Sequence, residues 1–234
     1  MKLNNLLKSI VIILCSIFSS QFYCQVINDD FEDGNLTGWT EGTAGDWTNS
    51  TSTPITGSRS LKHNLSGVSG SSYIYHDISS LDLTTQDITW QFNLKNSGFD
   101  PTSGNKFWVY LTANDTDLNS ATVDGYVVGV NLTGSTDILT LWKVTDGAAD
   151  VAIITSTLDW GNTDLIGIKV TRNNAGLWEL KVDSDENGNF DNLISQGTAT
   201  NTDYTFDNNF GLSFTFSSSN AGDLRMDDVT VQGV

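Results

Sequence analysis

Cysteine is nearly absent from this chain. Only two of 234 residues are cysteine, and both, Cys15 and Cys24, fall in the first stretch, so no disulfide framework holds the remainder together. Proline is equally scarce, with two residues, and no segment reads as a linker. The histidines are His63 and His76; the glutamates are Glu32, Glu41, Glu179 and Glu186. This poverty excludes a histidine-rich metal cluster. It also excludes the pair of glutamates at alternate strand positions that retaining glycosidases use. No Gly-x-Ser-x-Gly elbow is present. The two histidines sit singly in alternating runs and read as ordinary sheet-face residues rather than as bases of a lyase. Glu179 sits opposite Trp178 and Leu180 and reads as a solvated strand residue. The expected protein is not an enzyme.

Positive charge is scarce as well. Eleven Lys and Arg face 28 Asp and Glu, for a net charge of -17. Lys2 and Lys8 lie at the N-terminus, so the rest is more acidic still. Such a surface repels nucleic acid and anionic lipid, which excludes both as partners. It suits a soluble extracellular protein and offers carboxylates to Ca²⁺. Long apolar runs are missing with one exception, Ile10 to Phe18. That run follows two lysines, is too short to span a bilayer and precedes a polar exit, so residues 1–24 read as a signal peptide. Tyr23 before Cys24 argues against a lipidated cysteine, since lipoprotein signals want a small residue there. The expected location is secreted, extracellular or at the cell surface, without membrane insertion. Residues 25–234 read as one domain.

What is present is alternation. Ile88, Trp90, Phe92 and Leu94 share one face of a strand, and Thr89, Gln91, Asn93 and Lys95 share the other. Further strands are expected at Ser60 to Asn64, Tyr73 to Ile78, Phe107 to Leu111, Tyr126 to Val130, Ile138 to Val144, Leu165 to Thr171, Trp178 to Val182, Phe210 to Phe216 and Met226 to Val231. Asn173-Asn174-Ala175-Gly176 reads as one hairpin turn. Asn187-Gly188 reads as a type I′ turn toward Leu193 to Ser195. The expectation is all-β: a two-sheet antiparallel jelly-roll sandwich over 25–234.

The mature start, Asn28-Asp29-Asp30-Phe31-Glu32-Asp33-Gly34 with Gly38-Trp39, and the end, Leu224-Arg225-Met226-Asp227-Asp228-Val229-Thr230-Val231, resemble the two ends of jelly-roll carbohydrate-binding modules. Gly57-Ser58-Arg59-Ser60-Leu61-Lys62 looks like the third phrase of such domains. The stretch from Trp178 through Phe210-Gly211-Leu212 to Asp228 is similar to secreted bacterial concanavalin-like sandwich domains. The resemblance implies sugar binding without catalysis. It also implies a structural Ca²⁺ where the first and last strands meet, with Glu32 and Asp228, and Asp227 beside it, as ligands. The rival reading of Asp227-Asp228 is a bulge on a polar edge.

A second oxygen cluster is Asp183-Ser184-Asp185-Glu186-Asn187-Gly188-Asn189-Phe190-Asp191. It matches several positions of an EF-hand loop, but Ile194 stands where the bidentate Glu belongs, and a strand precedes it. It reads as an acidic hairpin turn, with Asp183 and Asp185 the alternative Ca²⁺ ligands. For sugar, the expected surface is an outer sheet face carrying Trp108, Tyr110 and Trp142, with Gln91 and Asn93 supplying amides. Trp47 and Trp160 are loop candidates, whereas Trp39, Trp90 and Trp178 are assigned to the core. The expected partner is a polysaccharide or cell-surface glycan. A cell-surface adhesion or matrix module is the rival reading, and a glycoside hydrolase or polysaccharide lyase is the third.

Overall fold

In the computed structural model, residues 24–234 are described, except Thr163 and Asp207. The expected signal peptide therefore lies outside the described residues, apart from Cys24. In chain order the strands are β1 (Cys24–Asp29), β2 (Trp39–Glu41), β3 (Trp47–Ser50), β4 (Ser60–His63), β5 (Gly70–Asp77), β6 (Ile88–Lys95), β7 (Lys106–Ala113) and β8 (Gly125–Gly129). They continue as β9 (Ile138–Thr145), β10 (Ala148–Asp159), β11 (Leu165–Arg172), β12 (Leu177–Asp183), β13 (Ile194–Thr200), β14 (Asn209–Phe216) and β15 (Arg225–Gly233). A 3₁₀ turn at Trp160–Asn162 follows β10. Among the described residues no helix is long and apolar enough to cross a membrane.

The strands form two antiparallel sheets. The eight-stranded sheet runs β13-β12-β11-β6-β15-β4-β3, with β1 also paired to β15; the seven-stranded sheet runs β10-β9-β8-β7-β14-β5-β2. This is the expected jelly-roll sandwich, and the first and last strands meet as expected, Asn28 opposite Thr230. Each sheet turns one face inward. Trp90, Phe92, Leu94, Ile168, Val170, Trp178 and Leu180 from one pack against Phe107, Val109, Leu111, Tyr126, Val128, Phe210 and Leu212 from the other, all fully buried. Trp39, Trp90 and Trp178 lie in this core, as their alternation predicts.

Several expectations need correction. Trp47 and Trp160 are not loop aromatics: Trp47 begins β3 at 3% exposure, and Trp160 is sealed against Phe107, ring centroids 4.9 Å apart. His63 is not a surface residue. It is buried among Trp47, Phe214 and Phe216, with Nε2 2.7 Å from the Ser72 hydroxyl and Nδ1 bonded to the Ala221 carbonyl. The Asn187-Gly188 pair is not a type I′ turn. In its loop Glu186 and Gly188 have positive φ, whereas a type I′ turn needs both central residues there. The β12–β13 hairpin it was expected to close does exist, with Val182 opposite Ile194. The Asn173–Gly176 turn joins β11 to β12, with Gly176 at φ +79°.

Candidate functional site

The predicted sugar-binding residues divide between the two outer faces of the sandwich. Gln91 and Asn93 lie on β6 of the eight-stranded sheet; Trp108, Tyr110 and Trp142 lie on β7 and β9 of the seven-stranded one. They do not make one surface. The three aromatics are also not open platforms. They pack with Leu118, Val123, Val127 and Val144 in a second apolar cluster, and their exposures are 8%, 1% and 6%. The segment 114–124 supplies Leu118 and Val123 to that cluster. Its ends are tied by Asn114 and Asp124, each backbone N–H reaching the other residue. Alternation placed these rings on the outward face correctly, but a loop folds over them.

The eight-stranded sheet builds a different site. One row of its outer face runs from Asp227 to Asn93, Gly167 and Asp183 across four neighbouring strands. At the first position the ladder slips between Asp227 and Thr230, and Asp228 takes φ +50°. The bulge of the rival reading is present, but not on an exposed edge, since β15 is paired on both sides and Asp227 is fully buried. Aspartate is one of the few residues that tolerates the Asp228 conformation. Asp228 Oδ2 accepts from the Asn93 amide at 2.9 Å and from the Thr56 hydroxyl at 2.9 Å. Its Oδ1 has no protein partner among the described residues.

At the other end of the row, the chain leaving β12 folds back over the sheet. The Gly188 carbonyl accepts from Asn93 Nδ2 at 2.8 Å. The Phe190 ring lies on Gly167, so close that a Cβ there would stand 3.1 Å from the ring. A glycine inside a strand often marks such a close approach. Between the folded-back loop, β6, the bulge and the end of β1 opens a cleft of about 500 Å³, within the range of small-ligand sites. Its walls bring Gln91 and Asp228 together with Asp30, Asn189 and the half-buried Phe190. The side-chain amides of Gln91 and Asn189 make no hydrogen bond among the described residues. Neighbouring Asp29 is fully engaged, holding Phe31 N–H and the Trp39 indole at 2.8 Å each.

The expected metal ligands also divide. Glu32 Oε1 accepts the Ser58 and Arg59 N–H groups at 2.6 and 2.8 Å, and these bonds hold its pKa below the usual range. Asp227 Oδ2 accepts Thr56 N–H at 3.1 Å and the Ser60 hydroxyl at 2.8 Å. The acidic phrases at the two ends thus latch the loop between β3 and β4. Among the described residues they are not gathered as a cage of three or more carboxylates. Asp183 and Asp185 are gathered: with Asp191 they place one oxygen each within 4.8 Å of one another. Asp183 also accepts N–H groups from Asp185 and Asn192 at 3.2 and 2.8 Å. Partial desolvation first, then the Asp183 and Asp191 carboxylates, raise the Asp185 pKa. Three hard oxygens repelling one another at the neck of a loop fit a Ca²⁺ ion chemically.

The four glutamates serve separate structural tasks. Besides Glu32, Glu41 accepts from Gly45 and Trp47 N–H, Glu179 pairs with Ser195 and Lys181, and Glu186 accepts Asp164 N–H. Phe190 was missed by sequence reading. The signal for it was a lone aromatic in a polar loop, with a glycine inside the strand it would cover.

No known family model matches the sequence, and no curated protein matches it. The sandwich is similar to solved structures. One is the exoplasmic/lumenal domain of VIP36 in its Ca²⁺/Man3GlcNAc-bound form, with TM-score 0.60 and 13% identity over 89% of this chain and 86% of that one. Another is the carbohydrate recognition domain of Emp47p, with TM-score 0.60 and 12% identity over 92% and 95%. Winged bean acidic lectin complexed with methyl-α-D-galactose is similar at TM-score 0.57 and 9% identity over 91% and 98%. The fold is therefore the concanavalin-like β-sandwich of legume-lectin-like carbohydrate-recognition domains. At these identities the likeness is one of fold.

Proposed function

We propose that this protein is a secreted or cell-surface, non-catalytic carbohydrate-binding domain that takes a segment of polysaccharide in the cleft beside Phe190. The observation that carries this reading is the composition of that cleft. A half-buried aromatic ring stands next to the unengaged side-chain amides of Gln91 and Asn189 and to the carboxylates of Asp30 and Asp228, each of which keeps one oxygen free of protein partners among the described residues. Pyranose recognition uses such a set: the ring covers the apolar side of the sugar and the polar groups fix its hydroxyls. Of the proteins that share this fold, the VIP36 domain is seen with mannose-containing sugars and winged bean acidic lectin with methyl-α-D-galactose. The dispersed glutamates favour binding over hydrolysis. On a glycan array the protein binds at least one polysaccharide, and Phe190→Ala lowers that affinity about tenfold or more, the loss typical of a central aromatic anchor. The bound polysaccharide gains no reducing ends. Binding by Phe190→Ala equal to that of the unmodified protein would exclude this cleft.

Calcium belongs to the same reading. Asp183, Asp185 and Asp191 would hold the ion and neutralise the neck of the loop that carries Asn189 and Phe190. An ion bound only by the folded state stabilises it by about 2.7 kcal/mol at a concentration 100 times Kd. For a domain of this size that is a rise in Tm of roughly 5–10 °C. Calorimetry is expected to show the rise with Ca²⁺ and its disappearance in Asp185→Asn. Identical melting with Ca²⁺ and with chelator would remove the ion from the account.

A further inference from the structure

The opposite face of the sandwich carries a second cleft, of about 400 Å³, bounded by β5, β7, β14 and the segment 114–124. Lys106, Thr215 and Ser71 occupy one row across β7, β14 and β5, since Thr215 is the register partner of both others. The row therefore presents an ammonium and two hydroxyls side by side. The hydroxyls bond to each other at 3.0 Å, which leaves one O–H free to donate outward. Asn119 and Ser120 stand across the cleft, and the Trp108 ring lies beside Lys106, the ammonium 5.5 Å from its centroid.

Lys106, like Lys62 and Lys169, makes no ion pair among the described residues. Lys95, Lys143 and Lys181 each reach an acidic side chain. Lys106 is half-buried and has no ion pair or hydrogen bond among the described residues. Desolvation alone lowers its pKa, and no carboxylate acts on it. The acids of the covering segment act instead on tyrosines, Asp117 and Asp115 on Tyr73 and Asp117 and Asp124 on Tyr110. In a chain of net charge -17, a partly desolvated cation without a counter-ion is a costly arrangement. A bound anion offsets part of that cost.

We infer that this cleft is a second binding site, for a sugar residue bearing an anionic group, carboxylate or sulfate, with the anion on Lys106 and the Ser71–Thr215 hydroxyl pair. The net charge of the protein repels long polyanions, so the ligand is a short acidic oligosaccharide or an isolated acidic residue within a neutral chain. Selectivity comes from the local cation, and nonspecific anion capture is suppressed by everything around it.

The test is calorimetric titration of the full chain with three short probes: an oligogalacturonate, a sulfated galacto-oligosaccharide and a neutral galacto-oligosaccharide of equal length. An acidic probe is expected to bind, its affinity falling about tenfold or more in Lys106→Met, as loss of a charge-assisted contact implies, and partly restored in Lys106→Arg. Which acidic probe binds more tightly separates carboxylate from sulfate. Phe190→Ala leaves this binding unchanged, so failure of the other cleft does not decide this one. Melting temperature verifies that each variant is folded. Equal affinity for acidic and neutral probes, or undiminished acidic binding by a folded Lys106→Met, would overturn the inference.

Discussion

Trp178→Ala is expected to cost about 3–5 kcal/mol of folding stability, the range for removing a fully buried large aromatic. Small domains have only about 5–15 kcal/mol in total. Trp178 is completely buried on β12 and touches both layers of the sandwich. Its indole stacks on Trp90 of the same sheet, centroids 5.6 Å apart and planes 16° from parallel, and meets Tyr126 of the other sheet at 4.6 Å. Its N–H donates to the Asn201 carbonyl at 3.1 Å, and the Arg172 guanidinium lies 5.6 Å over the ring. Alanine therefore leaves a cavity between the sheets, an unpaired carbonyl and a buried cation without its aromatic partner. Urea unfolding should show a lower midpoint with an unchanged slope. A loss below about 1 kcal/mol would mean that the ring is not packed between the sheets.

The second large effect is a pair of opposed titrations. Burial pushes the His63 pKa down to about 4, with the Ala221 carbonyl opposing and nearby Lys62 adding to the fall. Its stabilising contribution is complete above the ordinary histidine pKa of about 6.5 and is lost as pH falls from there to about 4, on the order of 3 kcal/mol. Asp227 behaves in the opposite sense. Burial pushes its pKa up to about 6 against the hydrogen bonds from Thr56 and Ser60. The folded state therefore holds that proton more tightly than the unfolded chain, and stability rises as pH falls from about 6 to the ordinary aspartate value of about 3.9, by a similar amount.

Together the two shifts nearly cancel, so the unmodified protein is expected to change little in stability from these groups between pH 7 and 4. Asp227→Asn removes the compensation, and the variant loses on the order of 3 kcal/mol more than the parent over that interval. His63→Gln removes the other half and gains stability on acidification instead. The slope against pH is the readout, so any fixed cost of either substitution does not matter. Parallel profiles for the three proteins would contradict the account.

Where period-two alternation was strong and both neighbours were regular, the fold was legible from sequence. β6 has the expected ends, Ile88 and Lys95, because every second residue is a large apolar one. β10 escaped notice for the opposite reason. It is an edge strand with an exposed Ala148–Val151 start, and its small residues show little contrast between faces. The bulge at Asp227-Asp228 was foreseeable as an alternative, since two adjacent acids cannot both face outward in a regular strand. Alternation tells which face a side chain takes and nothing about what lies over that face. Trp108 and Tyr110 were therefore placed on the correct side, while their cover of Leu118 and Val123 stayed hidden. The same limit scattered the predicted site: Gln91 and Trp108 form one surface only if their strands are adjacent, and β6 and β7 belong to different sheets. Gln91, Asn93 and Asp228 do converge, through Asn93 bonding to the Asp228 carboxylate in the cleft wall.

The most direct test of the central claim is a crystal structure of the protein with an oligosaccharide drawn from its best array ligand, grown with Ca²⁺. The account predicts a sugar ring on Phe190, with hydroxyls on Gln91, Asn189 or Asp228 and an ion among Asp183, Asp185 and Asp191. A neutral sugar bound on the seven-stranded face, with the Phe190 cleft holding only water, would contradict it.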